Sequence, residues 1–147
     1  METLTHSIES SQVIDVQPTN ATVLLIDNDL ASFYLVSEIL SEYGINVIHA
    51  RSGMEGVELV RQKPSIHLVI TELLLPQLNG FDVLKEIKRI NPEMQVITQT
   101  ANVMNNMRQN CLEAGFEEFI EKPIDIVDFG GNIISLLNQQ VLKNSFL

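Results

Sequence analysis

Carboxylates, threonines and one lysine stand where the apolar runs of this chain stop. Asp27-Asn28-Asp29 follows the run Thr22-Val-Leu-Leu-Ile26, and Glu72 closes the run from Ile66. Thr98 and Thr100 fall at the end of a run from Met94, and Lys122 follows Phe116 to Glu121 and precedes Pro123. Carboxylates combined with a hydroxyl and an ammonium suit Mg²⁺ and a phosphoryl group. Hard oxygens hold the ion, while the hydroxyl and ammonium contact phosphoryl oxygens. No one of these residues is informative alone. Their order (acid, acid, hydroxyl, lysine) at the ends of four of the five runs is.

The elements that must position them alternate. Apolar runs at 22–26, 45–48, 66–72, 94–99 and 116–121 read as strands buried on both faces. Helical spacing predicts helices from Leu30 to Tyr43 with Gly44 as cap, from Ser52 or Gly53 to Gln62, and from Phe81 to Ile90. Two more are predicted, from Val103 to Ala114 with Gly115 as cap, and from an Asp125 N-cap to about Leu142. Gly130-Gly131 should weaken the last helix near its start. Each connection is too long for a hairpin and right for a crossover. The expected fold is therefore an α/β three-layer sandwich, a doubly wound five-stranded parallel sheet. In such a sheet the carboxyl ends of the strands meet in one crevice.

From Thr22 to about Leu137 the chain resembles the receiver domain of two-component response regulators. The resemblance rests on Val23-Leu-Leu-Ile-Asp27-Asn28-Asp29, on Leu68-Val-Ile-Thr-Glu72-Leu-Leu-Leu-Pro76-Gln-Leu-Asn-Gly80 and on Thr98-Gln-Thr100-Ala101. Glu113-Ala-Gly115 and Phe119-Ile-Glu-Lys122-Pro123 complete it. It implies a flavodoxin-like fold with strand order 2-1-3-4-5. It also implies metal ligands at Asp27, Asn28 and Glu72, with the backbone carbonyl of Leu74 and a contribution from Asp29. The phosphoacceptor position falls on Glu72, the phosphate contacts on Thr100 and Lys122, and the rotamer switch on Phe119. The implied partners are a histidine kinase or phosphotransfer protein, and a downstream protein on the face of the fourth helix, fifth strand and fifth helix.

Two positions depart from that pattern. Glu72 stands where the family has Asp, and its extra methylene moves the carboxylate by about one carbon–carbon bond; displacements near 1 Å can cost ~10²-fold in rate. Asn28 keeps an oxygen ligand but loses a charge, which weakens Mg²⁺ binding. Asp29 can compensate in part, or serve as N-cap of the first helix. The expectation is an atypical receiver, not an enzyme, that works through protein–protein contacts with phosphorylation impaired or absent. The alternative is a working Mg²⁺-dependent acceptor phosphorylated on Glu72 by a histidine kinase. A flavodoxin-like FMN binder is excluded, because acids after the first strand would repel the FMN phosphate.

Composition narrows the rest. The 147 residues make one domain long enough for a core, and the net charge of −10 with scattered basic residues argues against nucleic-acid binding. No apolar run reaches the ~20 residues of a membrane span. The single cysteine, Cys111, reads as a small buried hydrophobe in a reducing, cytoplasmic protein. His49 and His67 have no metal-ligand spacing and read as structural or surface residues, and nothing supports His6 as a relay histidine. Met104 and Met107 read as helix core. Residues 1–20 form a polar leader or linker, 21–142 the domain and 143–147 a tail. A homodimer is left open, as is the choice between a stand-alone receiver and a piece of a larger regulator or hybrid kinase.

Overall fold

Five parallel strands pair in the order β2-β1-β3-β4-β5: β1 (Thr22–Ile26), β2 (Asn46–Ala50), β3 (Leu68–Glu72), β4 (Gln95–Thr100) and β5 (Phe119–Glu121). The computed structural model describes residues 20–104 and 106–145, with side chains to residue 140. The leader assigned to residues 1–20, all but Asn20, and His6 within it therefore lie outside the described residues. Helices α1 (Leu30–Ser41), α2 (Gly53–Gln62), α3 (Gly80–Ile90), α4 (Met107–Ala114) and α5 (Ile126–Ser145) make the crossovers and the closing helix.

Strand alternation sends side chains into two apolar layers. Leu24, Ile26, Val69 and Val96 meet Val57, Val83, Leu84, Ile87 and Cys111 of α2, α3 and α4. Val23, Leu25, Leu68, Ile70 and Ile97 meet Val36, Ile39 and Leu40 of α1 and Phe129, Ile133, Leu136 and Leu137 of α5. Central strand β3 is buried along its whole length, as its unbroken apolar run requires.

Local chemistry sets the helix starts. Asp29 Oδ1 accepts from the Ala31 N–H, Ser52 Oγ from the Glu55 N–H, and Asp125 Oδ1 from the Val127 and Asp128 N–H groups. Asn79 and Asp82 form a reciprocal capping box at α3.

Several boundaries differ from the sequence expectations. Helix α1 stops at Ser41 rather than Tyr43, and β2 runs from Asn46 to Ala50 rather than from Ile45 to Ile48. Helix α4 begins at Met107, not Val103, because Asn106 is left-handed (φ 58°) and supplies no side-chain cap. Met107 therefore packs on the core while Met104 lies exposed outside the helix. Phe116 to Glu118 precede β5 rather than forming part of it, and α5 continues to Ser145, so residues 143–145 of the expected tail are helical. The cost of Gly130 in α5 has a structural reason: a Cβ there would stand 2.6 Å from the Tyr43 ring.

Candidate functional site

The carboxyl edge of the sheet gathers two of the predicted residues, Asp27 and Glu72, around the ammonium of a third, Lys122. Lys122 follows β5 and reaches across the ends of β4 and β3. Its Nζ donates to Asp27 Oδ2 at 2.8 Å, Glu72 Oε1 at 3.0 Å and Ser32 Oγ at 3.2 Å. Three donors meet three acceptors, so the ammonium is saturated. Asp27 is 1% exposed and Glu72 8% exposed. Burial alone would lower the Lys122 pKa; the hydrogen bonds and charges of Asp27 and Glu72 outweigh it and raise the pKa above the ordinary lysine value.

The second oxygen of Glu72 is also engaged. Glu72 Oε2 accepts from the Leu73 N–H at 2.8 Å and the Leu74 N–H at 3.1 Å, where the chain turns out of β3. The loop that makes this turn packs closely on the strand. Gly80 donates its N–H to the Leu73 carbonyl at 2.9 Å, and a Cβ on Gly80 would stand 2.8 Å from the Glu72 carbonyl oxygen.

The other predicted residues sit elsewhere. Asp29 caps α1 with its side chain, and its N–H donates to Asp27 Oδ1 at 2.9 Å. Asn28 is exposed on the rim. Thr98 Oγ1 donates to the Thr71 carbonyl at 2.7 Å and ties β4 to β3. Thr100 is buried; its carbonyl accepts from the Lys122 N–H at 2.9 Å, and its Oγ1 accepts from the Asn102 N–H at 3.1 Å, while among the described residues that hydroxyl bonds neither the Lys122 ammonium nor Glu72. Phe119 is buried, with the Arg108 guanidinium 5.2 Å from its ring centroid. His49 stacks on Phe33 with its Nε2 2.8 Å from the Asp27 carbonyl, and His67 Nδ1 accepts from the Thr22 N–H. Both are structural.

This placement of acid, acid and lysine on a 2-1-3-4-5 sheet is matched by comparison with known proteins. Residues 23–132 match the response regulator receiver domain. The chain belongs to that family. Among its relatives, a cyclic di-GMP phosphodiesterase of Thermotoga maritima is 30% identical over 129 residues, which is 86% of this chain but 34% of that protein. The chain thus spans about a third of that relative's length. A receiver domain protein of Clostridium thermocellum superposes with a TM-score of 0.76 at 31% identity, covering 83% of this chain and 98% of that one. The CheY of a Borrelia burgdorferi CheX–CheY–BeF₃–Mg²⁺ complex does so at 0.74 and 25% identity, covering 80% and 90%. The chain is thus a receiver module of two-component signalling.

The donor set of this receiver fits a hard divalent cation in type, because Mg²⁺ is commonly held through one or two carboxylates plus waters. Asp27 and Glu72 converge to within hydrogen-bond reach of a single nitrogen. They would be the charged ligands, with the Asn28 amide and Leu74 carbonyl as neutral ones. A bound ion would supply charge neutralisation between the two carboxylates, the service Lys122 performs here. Among the described residues no third Asp, Glu, His or Cys joins them. Ser32 was not legible in the sequence, where a serine in the first turn of a helix reads as solvated. Its place one turn past the Asp29 cap was the only signal.

Proposed function

We propose that this receiver signals through protein–protein contacts, with Glu72 as a resident anion in its own pocket and conventional phosphotransfer impaired. One observation carries the reading. The Lys122 ammonium and the Leu73 and Leu74 N–H groups are the donors suited to a phosphoryl oxyanion, and the Glu72 carboxylate itself occupies them. An acceptor attacks through a carboxylate oxygen, and the three bonds to Glu72 hold both oxygens in place and draw on the lone pairs that attack would use. Asn28, with no charge to offer, weakens the metal site further, and the Thr100 hydroxyl is turned to Asn102.

The partners implied are a histidine kinase or phosphotransfer protein upstream, and a protein that docks on the α4-β5-α5 face. That face exposes Val103, Met104, Ile126 and Val127. It has a cavity of about 240 Å³ lined by Arg108, Phe119 and Asp128. Glu118, Glu121, Asp125 and Asp128 outnumber Arg108 there, which opposes a homodimer through this face by like-charge repulsion. We place the protein in the cytoplasm on its single buried, reduced cysteine; no described helix is long and apolar enough to cross a membrane.

A second reading has its own support. Asp27, Glu72 and Lys122 do converge, and the Borrelia relative was captured with BeF₃ and Mg²⁺. Incubation with acetyl phosphate and Mg²⁺, followed by intact-mass measurement, decides between the two. The resident-anion reading expects no phosphoryl adduct and no beryllofluoride-dependent NMR shift at Phe119. A stable adduct on Glu72 would establish the acceptor reading instead. Glu72→Asp with Asn28→Asp should restore the adduct.

A further inference from the structure

Gln99 is fully buried in β4, and among the described residues neither its amide oxygen nor its amide nitrogen has a hydrogen-bond partner. Apart from Glu72, the layer on that face of the sheet is apolar: Ile70, Ile97, Phe129 and Ile133 belong to it, with Ile120 packed against it. A leucine or methionine would suit such a layer, whereas an unpaired amide there carries its whole desolvation penalty. An amide that finds no partner in one arrangement of a protein points to another arrangement that uses it.

The strand register names that partner. Gln99 pairs directly with Glu72 across β3 and β4, and alternation from Ile70 and Ile97 puts both side chains on the same face. Neighbouring strands lie ~4.8 Å apart, so facing side chains of equal length can meet end to end. Glu and Gln are of equal length. An aspartate at position 72 would fall short by about one carbon–carbon bond.

We propose that Gln99 is a positioning residue for Glu72, the buried hydrogen-bond partner of a second Glu72 rotamer. In that rotamer the carboxylate leaves the Leu73 and Leu74 N–H groups and accepts from Gln99 Nε2. Both N–H groups then lose their acceptor, and the part-buried one, at the exposed residue Leu74, lies within reach of an external oxyanion. The Gln99 amide stabilises the withdrawn carboxylate without adding charge, so the exchange needs no change in protonation. The molecule thereby has two discrete states at the acceptor position, biased by whatever binds the freed donors. The proposal rests on the reading of Glu72 as the resident anion.

The test is ¹⁵N relaxation dispersion at the Leu73 and Leu74 amides of the intact chain. These N–H groups gain and lose their Glu72 bond in the exchange. The wild type is expected to show dispersion at both. Gln99→Met keeps the side-chain volume and removes both polar atoms, and should return both amides to baseline. Glu72→Asp should do the same, because its carboxylate cannot reach. A flat profile in the wild type overturns the proposal, as does dispersion that persists unchanged in Gln99→Met. So does a Gln99 amide that shows a persistent NOE to a buried water with no exchange at position 73. A raised urea midpoint in Gln99→Met would follow from burial alone, so the dispersion is the deciding readout. Failure of the resident-anion reading shows separately, as a phosphoryl adduct on Glu72.

Discussion

Replacing Lys122 by Met tests the pocket at its centre. The substitution keeps most of the aliphatic stem and removes the ammonium that joins Asp27, Glu72 and Ser32. What remains is two buried carboxylates with their oxygens drawn towards one empty point. Stripping the partner from a buried charge costs about 3–5 kcal/mol, far more than the net worth of the pair, because the charge left behind is uncompensated. Lys122 is 19% exposed in its side chain, so water enters and the low end, about 3 kcal/mol, is the expected loss at neutral pH. With a urea m of roughly 1–3 kcal/mol/M, the midpoint should fall by about 1–3 M at unchanged m. Adding Glu72→Gln to Lys122→Met should recover a large part of that loss, because one of the two repelling charges disappears; a double-mutant cycle reads the coupling. A Lys122→Met midpoint within error of wild type would refute the reasoning, and so would a double variant no better than the single.

Two further outcomes are expected. Because the folded-state pKa of Lys122 is raised, the folded chain binds its proton more tightly than the unfolded chain does. The associated stability is fully present below the unfolded lysine pKa of about 10.4 and is lost as pH rises through the folded value. Urea midpoints followed into that alkaline range should fall in the wild type, and the Lys122→Met variant should lack this component. Gly80→Ala should destabilise by about 1–3 kcal/mol, since its Cβ meets backbone at Glu72 and Leu73 that cannot step aside. The same variant should move the Leu73 and Leu74 amide resonances, whereas an effect confined to the α3 cap would leave them in place.

How far the molecule was legible from its sequence differs by residue. The strands were readable because a parallel sheet buries both faces, so Leu68 to Ile70 had to be an apolar run. Asp27, Glu72 and Lys122 were readable because strand ends in this topology must share one edge. The same rule placed Thr100 correctly in the backbone but said nothing about its hydroxyl, which turned to a local N–H two residues on. Gln99 and Ser32 were illegible for a stronger reason. Gln99 becomes meaningful only through its register with Glu72, and Ser32 only through the pitch of α1 against Lys122. Sequence order carries neither. The start of α4 was misread because helical spacing of Val103 and Met107 cannot reveal that Asn106 is left-handed.

If Glu72 is the resident anion as proposed, Glu72 and Asn28 are expected to act together as charge accounting in a pocket that does not depend on a metal. Asp27, Glu72 and Lys122 sum to −1 within the pocket. An aspartate at position 28 would bring the sum to −2, a state that favours a divalent cation. Asn28 withholds that charge, and Glu72 takes up the donors a bound anion would otherwise need. Stability should therefore depend on Mg²⁺ only when the charge is put back. Asn28→Asp in EDTA is expected to lose about 0.5 kcal/mol or less, because position 28 is exposed and water screens the added charge. Mg²⁺ at tenfold its Kd should then stabilise that variant by about 1.4 kcal/mol through mass action, while the wild type gains little at the same concentration. Thermal melts of both proteins with EDTA and with Mg²⁺ measure this. A wild-type melting temperature that rises with Mg²⁺ as much as the variant's would show that Asn28 costs the site nothing, and that the pocket is tuned for a metal after all.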